Sequence, residues 1–137
     1  MRSTHADYFN HDENADGYDA DVLNESDPIR TNYESVLDWV VAVAGIKEFS
    51  RILELGSGTG NLTKRIPQCK EVVCVDVSKR MEKLSRDKIA HLNHRTFIND
   101  DVLAVFEHDL GRFDVVLSTY TIHHLTEEEK SHFFQEL

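Results

Sequence analysis

The chain has few cysteines, few prolines and no long apolar run, and each shortage excludes something. Its two cysteines, Cys69 and Cys74, flank the start of an apolar stretch without C-x-x-C spacing. A disulfide framework or a cysteine metal site is therefore not expected, and both thiols are read as reduced and partly buried. No stretch of about 18 apolar residues occurs, so no membrane span is expected. The N-terminal Met-Arg-Ser-Thr-His leads into acids rather than an apolar h-region, so no secretory signal is read and the expected compartment is the cytoplasm. Positive charge is also scarce: 15 Lys and Arg face 25 Asp and Glu, a formal net charge of −10. Nucleic-acid affinity is drawn from basic side chains that displace counterions, so a small-molecule or protein substrate is expected, the small molecule first, and a nucleic acid is not. His91, His94 and the other histidines form no H-E-x-x-H or similar pattern, and no metal is expected.

What remains is an ordinary apolar content of 40% over 137 residues, enough for one domain with one core. Acids dominate residues 1–27, where Asp7, Asp12, Glu13, Asp16, Asp19, Asp21, Glu25 and Asp27 stand against Arg2 alone. With no apolar periodicity, this segment reads as an acidic arm or loop, with Tyr8, Phe9 and Tyr18 as candidate anchors, ahead of a domain over 28–137. Asp27-Pro28 reads as a helix cap with proline at the first helical position. Ile29, Tyr33, Val36, Leu37, Val40, Val41 and Ala44 follow at helical spacing before the stop at Gly45.

Buried strands are expected at 51–55, 71–76 and 113–118, the last two rich in β-branched apolar residues, and a further strand at 95–99. Helices are expected from Gly60 to Pro67, over 79–91 behind the cap Ser78, and from the Thr126–Glu129 capping box onward, with Phe133, Phe134 and Leu137 facing inward. A short turn or helical segment is expected around 102–106. Strands alternating with helices imply right-handed βαβ units and a parallel sheet, an α/β fold that binds ligands at the carboxyl ends of its strands. Glu54, the glycines after it, Asp76, Asp101 and Ser118 all fall at such ends.

Three of the six glycines stand at Gly56, Gly58 and Gly60, directly after the first strand. This spacing differs from the G-x-G-x-x-G of dinucleotide enzymes and suits a nucleoside without a pyrophosphate. Asp76, ending the second strand 22 positions after Glu54, can accept from both ribose hydroxyls of such a nucleoside. That acid alone does not separate a nicotinamide dinucleotide from S-adenosylmethionine.

These ordered motifs resemble the class I, Rossmann-like, S-adenosylmethionine-dependent methyltransferases. The resemblance runs from about Asp12 to the C-terminus and is closest to small bacterial methyltransferases whose substrates are mostly unassigned. It rests on residues 52–60 (ILELGSGTG), on 75–81 (VDVSKRM), on 99–102 (NDDV) and on 113–125 (FDVVLSTYTIHHL). The third of these departs from the usual Gly-Asp-Ala, so Asp101 takes the acid's place.

The resemblance implies a doubly wound, mainly parallel sheet of order 3-2-1-4 flanked by helices, with S-adenosylmethionine as methyl donor and S-adenosylhomocysteine as product. It implies a cofactor site of Tyr18, Glu54, Gly56, Ser57, Gly58, Gly60, Asp76, Val77, Met81, Asp101, Val102 and Ser118. Glu54 would hold the α-amino group or, equally, cap loop amides. Asp76 would hold the ribose, and Asp101 with the Val102 amide the adenine. Val77 and Met81 would face the adenine ring. No catalytic residue is obligatory; His123 and His124 are the candidates for a base. Family members continue past strand four, so the chain is expected to be part of a longer enzyme, with an uncovered strand-four edge open to homodimer formation. A nicotinamide-dependent oxidoreductase and a non-catalytic nucleoside-binding or dimerising module are the competing readings.

Overall fold

A computed structural model describes residues 1–4, 6–7, 10–24, 26–28 and 30–137. Tyr8, Phe9 and Ile29 lie outside the described residues. Among the described residues, four strands form one parallel sheet: β1 (Arg51–Leu55), β2 (Glu71–Asp76), β3 (Arg95–Asn99) and β4 (Val115–Ser118), in the order β3-β2-β1-β4. Leu55 stands opposite Val75 on one side and Ser118 on the other, and Asp76 stands opposite Asn99. All four carboxyl ends therefore meet along one edge.

The two central strands, β1 and β2, are buried on both faces because other elements cover both, whereas β3 and β4 at the edges are only partly buried. Ile52, Val72, Cys74 and Leu117 point to one side, where they pack with Val22 of α1 (Ala15–Val22) and with Tyr33 and Leu37 of α2 (Tyr33–Val43). Their neighbours Leu53, Leu55, Val73 and Val75 point to the other side, against Leu103, Val105, Leu125 and Phe133 of α4 (Glu127–Glu136). Helix α3 (Lys79–Lys88) follows β2. Its cap is as expected: Ser78 Oγ accepts from the Met81 amide at 3.1 Å. The capping box of α4 is also present, with Thr126 and Glu129 satisfying each other's amides.

Six local expectations need correction, the first being that Phe134 and Leu137 face inward with Phe133: both are exposed. The acidic arm is not all loop, since residues 15–22 form α1; its only buried positions, Ala15 and Val22, are too sparse to register as a period. Helix α2 starts at Tyr33 rather than behind Asp27, because Asn32 takes a left-handed φ of 60° and breaks the run. Asp27 and Pro28 instead open a turn, closed by the Arg30 amide on the Asp27 carbonyl at 3.0 Å. Between Gly60 and Pro67 there is only one 3₁₀ turn, Thr63–Arg65, and α3 ends at Lys88 rather than at residue 91. Strand β4 starts at Val115 rather than Phe113 and is not the buried strand expected, since Val116 is exposed on the open edge; Phe113 packs under the Arg51 guanidinium at 4.7 Å.

Among the described residues, the outer edge of β4 pairs with no strand. Trp39 and Val43 of α2 are exposed. No helix among the described residues is long and apolar enough to cross a membrane.

Candidate functional site

The turn after β1 is built on its glycines, and each serves a different end. The amides of Gly56 and Ser57 both donate to the Val75 carbonyl, at 2.8 and 3.0 Å, which folds the turn back over β2. All three glycines have positive φ, at 71°, 53° and 85°. A Cβ on Gly56 would lie 1.9 Å from Thr121 Oγ1, and one on Gly60 would lie 2.6 Å from Ser85 Oγ. A Cβ on Gly58 would meet nothing within 4 Å. Gly56 and Gly60 are therefore small so that protein can pack, while Gly58 fronts open space.

Asp76 braces this turn. Its carboxylate accepts from the Gly58 amide at 2.8 Å and, on the other oxygen, from the Ser78 amide at 2.9 Å. Burial pushes its carboxyl above the ordinary range, against the lowering effect of those two amides. Each oxygen keeps a lone pair for a further donor.

Asp101 is buried and closely held. It accepts from the Leu103 amide at 3.0 Å and from both the amide and the hydroxyl of Ser3, at 2.8 and 2.6 Å. The Thr4 amide donates to Glu129 at 2.6 Å. The arm thus crosses the sheet edge beside the acid that the sequence assigns to adenine. One oxygen of Asp101 still has capacity for another donor.

Glu54 points to the α1–α2 side of the sheet, fully enclosed. The Thr63 hydroxyl donates to it at 2.6 Å and the Cys74 thiol lies 3.9 Å away. Burial pushes its carboxyl up to about 7, against the Thr63 hydrogen bond. Burial and the Glu54 charge also push the Cys74 thiol up, so this buried cysteine stays protonated.

Two adjoining cavities run along this edge. The first is bordered by Asp76, Val77, Met81, Asp101, Val102 and His124. The second is bordered by Glu54, Ser57, Asn61 and Tyr33. Tyr18, Gly56, Gly58, Thr119 and Tyr120 border both. Ten of the twelve cofactor residues expected from the sequence therefore come together here. Gly60 and Ser118 border neither cavity; Gly60 packs on Ser85, and the Ser118 hydroxyl donates to the Leu55 carbonyl at 3.0 Å. His123 is exposed, its ring 4.0 Å from that of His124. Among the described residues, no cluster of metal-ligating side chains occurs.

Sequence reasoning missed Ser3, Ala6, His11, Tyr33, Asn61 and the run Thr119 to Thr121. The last could have been read from its place directly behind β4. The arm residues could not, because nothing local says where an arm docks.

Tyr18 is positioned by its neighbour Asp19. The Asp19 carboxylate accepts from Lys88 Nζ at 2.6 Å, from the Thr59 hydroxyl at 2.5 Å and from the Asn61 amide at 2.9 Å. Lys88 also donates to Asn61 at 2.7 Å and to Thr59 at 3.1 Å. Burial works to raise the Asp19 carboxyl, but these donors outweigh it and hold it below the ordinary range. This knot ties α1 to the glycine turn and to α3. Lys88→Met is expected to cost about 1–2 kcal/mol of stability, by orphaning three acceptors in a half-exposed site. A urea titration that leaves the midpoint unmoved would show the knot to be incidental.

The methyltransferase-domain family profile matches residues 52–137. An uncharacterized methyltransferase of Geobacillus sp. (strain WCH70) is 39% identical over 120 residues, which is 85% of this chain and 53% of that protein. One from Bacillus subtilis (strain 168) is 38% identical over 99 residues, covering 72% and 43%. The chain thus spans about half the length of the curated relatives it matches. Among solved structures, a DhpI–SAM–HEP complex is similar at a TM-score of 0.69 and 20% identity, covering 92% of this chain and 55% of that one. N-methyltransferase NodS from Bradyrhizobium japonicum WM9, in complex with S-adenosyl-L-homocysteine, is similar at 0.67 and 18% identity, covering 89% and 64%.

Proposed function

We propose, for a chain that belongs to the class I S-adenosylmethionine-dependent methyltransferase family, that it binds S-adenosylmethionine along the carboxyl edge of its sheet and serves methyl transfer to a small-molecule acceptor. The observation that carries this reading is the open space in front of Gly58, flanked by Asp76 and Asp101 on one side and Glu54 on the other. The bound complexes of DhpI and NodS support the same donor. The donor supplies an electrophilic methyl group on a sulfonium.

The residues fit that ligand. Asp76 retains acceptor capacity for the ribose hydroxyls, and Asp101 retains one site for the adenine amino group. Val77, Met81 and Val102 offer apolar contact to the base. Glu54 offers a carboxylate to the amino group. The chain's own work is to hold the donor and acceptor in line and to exclude water. His124, which borders the first cavity, is the candidate base for a nucleophile that carries a proton. The acidic net charge supports a small acceptor over a nucleic acid. Two free, buried cysteines suit the cytoplasm, which we take as the compartment. The unpaired edge of β4 is where we assign self-association into a homodimer.

Calorimetric titration with S-adenosylhomocysteine and with NAD tests the donor. Binding of the first alone is expected; binding of NAD alone would overturn the reading in favour of an oxidoreductase. The pH dependence tests Glu54. In the free chain its carboxyl lies at about 7 against an ordinary 4.5. The folded state therefore holds a proton that the unfolded state releases between these values. The associated stability is present below about 4.5 and lost as pH rises through 7. A bound ammonium favours the carboxylate, so ligand binding must expel that proton below pH 7. Affinity for S-adenosylhomocysteine is expected to weaken by up to about tenfold per unit below pH 7 and to level off above it. Glu54→Gln should flatten the profile; an unchanged slope would remove Glu54 from the amino-group contact.

A further inference from the structure

We infer that the N-terminal arm is a gate on the first cavity, which must swing off Asp101 and Glu129 before the donor enters or its product leaves; the inference rests on the donor reading above. Two sets of bonds hold the arm across the sheet edge. At its front, Ser3 donates its amide and its hydroxyl to Asp101 at 2.8 and 2.6 Å. Thr4 donates its amide to Glu129 at 2.6 Å, and its side chain adds a further bond. Farther along, Asp12 accepts from the Ser78 hydroxyl at 2.5 Å and from the Arg80 amide at 2.9 Å. Asp16 pairs with the Arg80 guanidinium at 2.7 Å. Ser3, Ala6 and His11, which lie along this stretch, are walls of the first cavity.

The two sets differ in what stands behind them. The second leads into α1, whose Ala15 and Val22 are buried and whose Asp19 is knotted to Lys88. Among the described residues ahead of Ala15, only Ala6 is buried. The front of the arm is therefore held by hydrogen bonds and one methyl group rather than by a packed face. A segment with so little apolar burial belongs to the low-stability end of a fold, where local opening is easiest. Asp12 and Asp16 form the pivot, and the contacts of Ser3 and Thr4 form the latch.

Position decides what the latch controls. Asp101 and Val102 border the same cavity as Ser3 and Ala6, so a nucleoside that reaches Asp101 has the arm against it. The amides of Ser3 and Leu103 share Oδ1 of Asp101, while the Ser3 hydroxyl takes Oδ2. One site on Oδ2 remains, so base and latch can share the carboxylate once the arm has closed again. Asp101 and Glu129 are both buried, and the arm supplies donors to each. Hydrogen bonds to ionised groups are the strong ones, so the closed arm is the favoured state. Closed, it shuts water from the nucleoside and retains it. Its opening then sets the pace of donor entry and product release.

Stopped-flow mixing of the full chain with increasing S-adenosylhomocysteine reads the gate, since binding that waits on opening reaches a rate ceiling. The same ceiling is expected with 5′-methylthioadenosine, which keeps the nucleoside but has no amino-acid end. Ser3→Ala combined with Thr4→Val removes both hydroxyls from the latch and leaves Asp101 and Glu129 in place. The ceiling should then rise by about tenfold for both ligands, and release should quicken as well. Ser3→Ala alone should give a smaller rise, and serves if the double variant does not fold. Wild-type rates that climb linearly with concentration, without a ceiling, would overturn the gate while the donor reading stood. A ceiling that the variants leave unmoved would overturn it too. Faster release with entry unchanged would make the arm a fixed wall, and a ceiling for S-adenosylhomocysteine alone would put the slow step at the amino-acid end; either result sinks the gate. Wild-type protein that binds neither ligand would sink the donor reading and the gate with it.

Discussion

Gly56→Ala is expected to destabilise the fold by on the order of 4 kcal/mol, enough to shift the urea midpoint severely, while Gly58→Val leaves a folded chain that no longer binds S-adenosylhomocysteine. The two positions are two residues apart with the same sign of φ. The strain of a side chain at positive φ, about 1–2 kcal/mol, is therefore common to both. What differs is the surroundings. A Cβ at 56 would sit 1.9 Å from Thr121 Oγ1, 2.6 Å from its Cγ2 and 2.7 Å from its Cβ, so rotating the threonine side chain gives no relief. The loop after β4 or the turn after β1 must move. A Cβ at 58 meets no protein atom and enters the space assigned to the donor. Thr121→Gly in the Gly56→Ala background removes the clash but not the positive φ, and should recover about half of the loss. Equal midpoints for Gly56→Ala and Gly58→Val would show that backbone strain alone dictates both glycines.

Asp76→Ala is expected to raise the dissociation constant for S-adenosylhomocysteine by about 10- to 150-fold, the equivalent of roughly 1.5–3 kcal/mol for lost hydrogen bonds to a charged group. The structure adds a second route to that loss. The Asp76 carboxylate also anchors the Gly58 and Ser78 amides, so the alanine variant loosens the turn as well as removing the ribose acceptor. Asp76→Asn separates the two. Its amide oxygen can keep one backbone bond and its shape keeps the packing, but it lacks the charge and one acceptor. If the ribose is the partner, the wild type should strongly prefer adenosine over 2′,3′-dideoxyadenosine, and Asp76→Asn should lose most of that preference. An equal drop for both nucleosides would assign Asp76 to the turn alone.

Much of the site was legible before the fold. The carboxyl ends of β1 and β2 are marked by Glu54 and Asp76, because an acid at the end of a buried apolar run has few structural uses. The strand bounds 51–55, 71–76 and 95–99 and the capping box at Thr126 also stood as read. These features depend on neighbours in sequence, so a local reading reaches them. The N-terminal part was read poorly for the opposite reason. Helix α1 owes its position to Val22 in the core and to Asp19 on Lys88, 69 residues away. The start of α2 depends on the left-handed turn at Asn32, which the Asp-Pro signal obscured.

By itself the sequence determined the parallel α/β sheet, the glycine turn and the acids at its edge, since periodicity, β-branching and turn chemistry are written in adjacent residues. Only the tertiary structure decided which glycine fronts open space, because Gly56 and Gly60 are answered by Thr121 and Ser85 from distant segments. It also decided that Ser3 sits on Asp101 and that Arg30 stands among Tyr18, Tyr33 and Tyr120. Such contacts arise from how the chain closes on itself, and no local pattern encodes that closure.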